Sequence, residues 1–556
     1  MTEIQRKFWA GSLVWLSLFL VVVFAMSAWG QERERITYQG FPGGLNTVNE
    51  SDDCLPTQLR TANNVSLTKQ GYVFPRGTFF YQNRSASGTI YTAGAVQMPG
   101  YNGSVFYAHT GRYLFAFAGS AGTAGFFYYH TVTDYGANPQ KGQIVFFNNY
   151  LVHGNGVNYP QYINVLGLPA SSTQNTTDPV VNILTVHNNR IFGANSATNT
   201  PILYETQVDS YNNWASGSAW NVSPNAYQAI TGLGTLRGTL YIFTRGNIFQ
   251  MTGYAPAERT FSTFTNGYGT IHPDSIKPIS LTGGGEGIFF ISSAGEGCFL
   301  NEAGVQKISE YVQPTLDAMG NSGDKFVAEF DQTTKELWII TEGNFASCTS
   351  ALRMFADIPY QSSFGTRWPF ATVSPPAIPN ATPSFSCLAP NSTNSATDKG
   401  LYVGIYGWGG YYNGPANATT LFIQYPHGYP NKVDVINQNA VTTDLPFSMA
   451  FRTRNEDAGD NRFLKGWRKA IFQAFSNKNS VSTFTMDVSQ VNDFVTQVST
   501  ATISLTATST PTATNFYFNL MGNSQWTSVT ASITPTLLTP YITRLFIDYV
   551  KGPKIE

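Results

Sequence analysis

From about residue 86 the sequence keeps returning to one small unit: a short aromatic or β-branched strand, a turn carrying Gly or Asn, and a second strand. Ser104 to His109 precedes Tyr113 to Phe117, and Gln143 to Phe147 precedes Tyr150 to His153. Asn182 to Val186 faces Arg190 to Gly193 across Asn188-Asn189, and Ala229 to Leu233 precedes Thr239 to Thr244. Gly287 to Ser292 with Gly297 to Asn301, then Phe326 to Phe330 with Glu336 to Thr341, continue the series. Strands of roughly three to six residues around turns of about two to five are hairpin spacing. The turns His187-Asn188-Asn189-Arg190, Leu236-Arg237-Gly238-Thr239 and Thr244-Arg245-Gly246-Asn247 place αL-tolerant residues where a hairpin must close. Recurrence every ~40–50 residues is the period of a four-stranded propeller blade. The pattern therefore predicts an all-β chain whose body, residues 86–440, is a β-propeller of roughly five to seven blades.

Composition agrees. Only 12% of the 556 residues are charged, while 14% are aromatic. So much apolar surface excludes disorder, and the lack of Ala, Leu, Glu and Lys at helical spacing excludes a helical body. A net charge of −1 without a basic block excludes a surface built to grip nucleic acid.

The two ends differ from the body. Arg6 and Lys7 precede an apolar run from Phe8 to Trp29, and Ala28-Trp29-Gly30 offers small residues before Gln31. Residues 1–30 thus read as a secretory signal, removed on export. The run is also nearly long enough to span a bilayer, so membrane contact through residues 8–29 is the alternative. Residues 31–85 read as an extended arm and strands, and the polar, turn-rich segment Gln31 to Tyr81 is expected to gain order from a neighbouring subunit or another partner. Pro375 to Tyr425 is loop-rich. After residue 441 longer strands set in (Phe447 to Thr453, Trp467 to Phe475, Phe484 to Val488). The alternating tail Tyr541 to Val550 completes a β-sandwich-like domain over 441–556, its last strand pairing back into the body.

No catalytic, metal or cofactor site can be assigned. Cys54, Cys298, Cys348 and Cys387 form no Cys-x-x-Cys pair, which argues against zinc. They read as isolated thiols, or as one long-range pair such as Cys348 with Cys387. His109, His130, His153, His187, His272 and His427 are scattered at turns and strand ends and lack metal spacing. Thr282 to Gly287 looks like a phosphate loop, yet it lacks the Lys-Ser/Thr pair and leads into a strand, so an inter-strand turn is expected. The acidic loop Glu456 to Asn461 does not match an EF-hand. Glu286, Glu296, Glu329 and Asp331 are the carboxylates that could converge for glycoside hydrolysis, with nothing to select among them. Asn-x-Ser/Thr sequons at Asn64, Asn83, Asn175, Asn221, Asn391 and Asn417 are what chance yields in a chain this rich in Asn, Ser and Thr.

One stretch carries a more specific signal. Gly40-Phe41-Pro42 leads into Gly43-Gly44-Leu45-Asn46-Thr47. An extended arm, the strand Asn64-Val65-Ser66-Leu67, the Gly71 turn and Pro75-Arg76-Gly77 follow. The order resembles the opening of the tail nozzle proteins of short-tailed bacteriophages, which include the packaged-DNA stabilisation proteins. Those carry Arg-Pro-Gly or Arg-Gly at the final corner, where this chain has Pro-Arg-Gly. A second block, Val186 to Trp214, Leu233 to Gly253 and Gly267 to Ser309, resembles the same family. The resemblance implies a virion structural protein of the tail, not an enzyme. It would be a homo-oligomeric, hexameric ring subunit below the portal and the head-to-tail adaptor, meeting the tail needle, fibre or spike. Double-stranded DNA would pass through the lumen without sequence-specific binding and be retained until ejection. A weakly charged lumen suits a sliding polyanion better than a basic one. The competing reading is a secreted carbohydrate-binding or carbohydrate-active propeller, with Trp408-Gly409-Gly410-Tyr411-Tyr412 stacking sugar rings.

Overall fold

The computed structural model describes residues between 33 and 554. It leaves out 49–54 and a series of connecting segments, of which 120–127, 390–400 and 407–418 are the longest. The chain is all-β, and among the described residues the one α-helix is the short Gln313–Gly320.

Five separate four-stranded antiparallel meanders follow one another in sequence. The first runs from Thr92–Gln97 to Tyr128–Asp134, the second from Gln143–Phe147 to Ser172–Gln174, and the third from Ile183–His187 to Ala219–Asn221. The fourth runs from Ile230–Leu236 to Thr260–Asn266, and the fifth from Lys277–Leu281 to Gly304–Lys307. A sixth array, Lys325–Asp331, Glu336–Glu342, Ala351–Phe355 and Phe370–Val373, is one end of a nine-stranded sheet. In a seventh, Ser384–Ala389, Leu401–Tyr406 and Thr419–Tyr425 are completed by the early strand Phe80–Ser87. All six hairpins expected from the sequence are present in register.

Local chemistry explains the tight turns. Asn148-Asn149, Asn188-Asn189 and Arg237-Gly238 each hold two successive residues at positive φ, between 46° and 79°. That is the type I′ geometry whose twist matches the flanking strands. Within Thr282 to Gly287, residues Thr282–Gly284 turn the hairpin, with Leu281 opposite Gly285, and Gly285–Gly287 begin the next strand.

The first strand of each array packs beside the first strand of the next, from Thr92–Gln97 through to Lys325–Asp331. Ser384–Ala389 then lies beside both Lys325–Asp331 and Thr92–Gln97. Separate apolar clusters fill the seams. Val152, Tyr162, Val181 and Ile191 join the second and third arrays, and Phe192, Leu203, Leu240 and Met251 join the third and fourth. Phe243, Ile248, Ile288 and Phe290 join the fourth and fifth, and Val327, Trp338, Phe385 and Val403 join the sixth and seventh. Each fully buried Leu, Ile or Phe stabilises by about 1.5–3 kcal/mol, so apolar packing supplies much of what holds neighbouring sheets together.

The strands expected within residues 31–85 are present, but among the described residues they pair inside the chain rather than standing out from it as an arm. Arg33–Tyr38 pairs along the final strand Tyr541–Lys554. Thr61–Asn63 is inserted between Phe370–Val373 of the sixth array and Met449–Arg452. Val65–Leu67 and Val73–Pro75 form the expected hairpin around Gly71. Tyr38, Phe41, Leu45, Leu59, Val65 and Val73 are all buried in the largest core cluster. These apolar residues are few, but each lands on a core position of the same chain. Residue 85 also falls inside the strand Phe80–Ser87, and the boundary at 440 separates the paired strands Val433–Gln438 and Val441–Pro446.

The C-terminal strands form two layers. Met449–Arg452, Thr527–Pro535, Ser482–Asn492 and Thr496–Leu505 extend the nine-stranded sheet. Phe463–Phe475 lies between Thr514–Asn519 and the final strand in a seven-stranded sheet. As expected, the last strand pairs back, with Ile542 opposite Val73.

Candidate functional site

The opening motif is a structural staple. Gly44 has φ +61°, and a Cβ there would sit 2.6 Å from Pro369 Cβ and 2.8 Å from the Phe370 carbonyl oxygen. Leu45 is buried, the Asn46 amide N–H donates to the Leu59 carbonyl (2.8 Å), and the Thr47 N–H donates to the Tyr311 carbonyl (2.7 Å). Asn46 Nδ2 donates to Gln58 Oε1 (2.9 Å), and Gln58 Nε2 reaches the Tyr360 hydroxyl (3.3 Å). Gly43 lies over Gln58, where a Cβ would meet Gln58 Cγ at 2.5 Å. Asn64 is buried at φ 53°, its N–H donates to the Thr372 carbonyl and its Oδ1 accepts from the Ser374 N–H (3.0 Å). A sequon asparagine in that position is closed to glycans. Val65 is fully buried beside it. Arg76 and Gly77 lie outside the described residues. No residue of the motif presents a reactive group.

A cluster with no warning in the sequence lies where the first strands begin. Lys141, just before the second array, pairs with Asp274, just before the fifth, at 2.5 Å. Gln143 Nε2 donates to the same carboxylate (3.0 Å), while Gln143 Oε1 accepts from Leu184 N–H of the third array (2.9 Å). Lys277 of the fifth array pairs with Glu329 of the sixth at 2.8 Å. The second and fifth arrays do not follow one another in sequence, so this contact joins sheets separated by two others along the chain. Burial opposes the charge of Asp274, but Lys141 and Gln143 outweigh it and hold the carboxyl below its usual range. Burial likewise opposes the Lys277 ammonium, and Glu329 outweighs it, so its pKa is raised. These are matched pairs, which orient and neutralise one another rather than leaving a free acid or base.

Histidines flank this cluster. The rings of His109 and His153 lie 4.2 Å apart between the first and second arrays. Burial, then the neighbouring His109, push His153 well down, so it is neutral at physiological pH. His272 Nδ1 accepts from the Phe326 N–H (3.2 Å), and burial, followed by Lys325 and Lys141, lowers its pKa to about 4. Such a group contributes stability in full above its unfolded value, near 6.5, and loses it as pH falls toward 4. At pH 5 the His272 contribution is expected to have dropped by about 2 kcal/mol relative to pH 7. The unfolding midpoint of a His272→Gln variant, measured from pH 7 to pH 5, would then fall less steeply than that of the parent. Parallel slopes would refute a neutral buried His272.

The carboxylates singled out by sequence do not assemble. Glu286 is exposed and pairs with Arg237, and Glu296 pairs with Lys307. Glu329 is committed to Lys277, and Asp331 Oδ1 accepts from Thr333 N–H in its own turn. Cys298, Cys348 and Cys387 are buried, and a Cys348–Cys387 bridge is not formed; the Cys348 thiol instead donates to the Ser350 carbonyl. Burial drives the Cys298 and Cys387 thiols up to about 12, which leaves them unreactive. Among the described residues no three His, Cys, Asp or Glu side chains gather as metal ligands. Nor, among them, is any helix long and apolar enough to cross a membrane. Residues 1–30, Cys54, Trp408 to Tyr412 and the carboxylates at 456–460 lie outside the described residues.

No family model matches the chain, and no curated protein does. Among solved structures, a chain of the mitotic checkpoint complex aligns with a TM-score of 0.38 and 10% identity, covering 62% of this chain and 95% of that one. The extracellular domain of a hybrid two-component system from B. thetaiotaomicron aligns at 0.34 and 11%, covering 67% of this chain and 51% of that one. Both scores are too low to carry an argument about fold or activity.

Proposed function

We propose that the seven arrays are blades of a β-propeller and that the protein is a structural ring subunit of a short-tailed phage tail, of the nozzle kind. The succession of neighbouring first strands, with Ser384–Ala389 beside Thr92–Gln97, supports the propeller. Phe80–Ser87 would then complete the last blade from the opposite end of the chain. The observation that carries the functional reading is the bridge from Lys141 and Gln143 to Asp274, which joins sheets separated by two others along the chain. In a propeller such a bridge would fill the axis with mutually satisfied charges. An axis occupied in this way suits a load-bearing wall element better than a catalytic funnel. The DNA lumen would then lie between subunits of a ring, with the low charge of the chain keeping phosphates unbound. Apolar and aromatic side faces would make the permanent contacts between copies.

Electron microscopy of the purified full-length protein, together with antibody labelling of phage particles, tests the proposal. Closed rings and label at the tail are expected. A persistent monomer that turns over glycans, with activity lost in a Glu329→Gln, Asp331→Asn variant, would establish the carbohydrate-active alternative instead.

A further inference from the structure

A second charged cluster is buried in the seam between the third and fourth arrays. Arg190 Nη1 lies 3.3 Å from Glu205 Oε1, and Arg259 Nη2 lies 2.9 Å from Glu205 Oε2. Neither Glu205 nor Arg259 exposes any of its side chain, and Arg190 exposes 9%. Arg190 Nη1 also donates to the Thr206 carbonyl (3.0 Å), and Arg259 Nη1 to the Gly253 carbonyl (2.6 Å). The Nε–H of each guanidinium is buried and meets no acceptor among the described residues. His187 Nε2 is also buried without one, and its ring, like the Arg259 guanidinium, packs on Phe192. The nearest other carboxylate, Glu258, turns to the Ala255 N–H (3.2 Å) at the surface.

The charge count is unequal. Two guanidinium groups stay protonated at any accessible pH, against one carboxylate. Burial pushes the Glu205 pKa up, opposed by Arg259 and Arg190. His187 is held down to about 4 by burial and by Arg259, so it adds no third cation at neutral pH. A buried net positive charge with two unused N–H donors is the arrangement that low-dielectric surroundings penalise most. A water molecule could accept from one donor but would leave the charge uncompensated.

We propose that this cluster binds one small monovalent anion of the halide class, taken up as the chain folds, through Arg190 Nε and Arg259 Nε. The test is made on the full-length protein at constant ionic strength, with sodium gluconate exchanged for sodium chloride. Because a folded-state ligand stabilises by mass action, the unfolding constant is expected to fall about tenfold per tenfold rise in chloride above the dissociation constant. Crystals grown in bromide are expected to show an anomalous peak in the seam between Arg190 and Arg259. Arg259→Met removes one donor and the excess charge, so its chloride dependence should vanish. If that variant does not fold, Arg190→Lys, which keeps the charge but loses the Nε donor, should show a weakened dependence. Stability indifferent to chloride, or bromide crystals without a peak in the seam, would overturn the assignment.

Discussion

Arg353→Ala is expected to lower the unfolding free energy by about 3–5 kcal/mol, the largest effect of any single substitution considered. Arg353 is fully buried on the Ala351–Phe355 strand of the sixth array. Its Nη2 donates to the Val65 carbonyl and to Ser66 Oγ (2.9 Å), while Nη1 lies 3.5 Å from Glu336 Oε2. The guanidinium stacks over Phe355, 4.7 Å from the ring centroid. Truncation would leave a buried carboxylate short of its cation and a buried carbonyl short of its donor. It would also unfasten the early hairpin from the sixth array. Denaturant midpoints of Arg353→Ala and of Arg353→Met with Glu336→Gln measure this. Removing both charges together should recover part of the loss, because the unpaired charge is the costly element. A loss below about 1 kcal/mol in the single variant would show that the contact does not hold the hairpin.

Gly44→Ala is expected to cost about 2–5 kcal/mol, from two sources. Its positive φ penalises an L side chain by roughly 1–2 kcal/mol. Its new Cβ would also press on the Pro369 side chain and the Phe370 backbone, an overpacking of about 1–3 kcal/mol. Gly238 provides the control: its φ is +79°, yet nothing lies within 4 Å of a Cβ built there. Gly238→Ala should therefore cost only the backbone strain, about 1 kcal/mol. Comparing the two thermal midpoints separates the mechanisms. Equal losses would mean that the close approach between Gly44 and the sixth array plays no part.

Much of the local structure was legible in the residues. Asn188-Asn189 and Arg237-Gly238 announced their turns because few residue types tolerate positive φ. The flanking apolar strands then had one way to pair. Gly43, Gly44 and Asn46 stood out as a turn motif; Gly44 has the positive φ, Gly43 packs against Gln58, and Asn46 donates to Gln58. The arm was misjudged for a different reason. Its apolar residues, Tyr38, Phe41, Leu45, Leu59 and Val65, are too dispersed to form a core of their own. Nothing local records that the final strand and the sixth array supply the other half.

The sequence by itself determined the strand content, the hairpins and their turn types. These depend on backbone preferences and side-chain alternation within a few residues. Only the tertiary structure decided what non-local contacts decide. It set the sharing of sheets between the two ends of the chain and the completion of the seventh array by Phe80–Ser87. It also brought Lys141 to Asp274 and Arg190 and Arg259 to Glu205. Each of those pairs is separated by many intervening residues, and a lone Lys, Arg or Asp reads as a surface residue until the fold removes its water. Burial creates the demand for a partner, and burial belongs to the whole fold rather than to any segment of it.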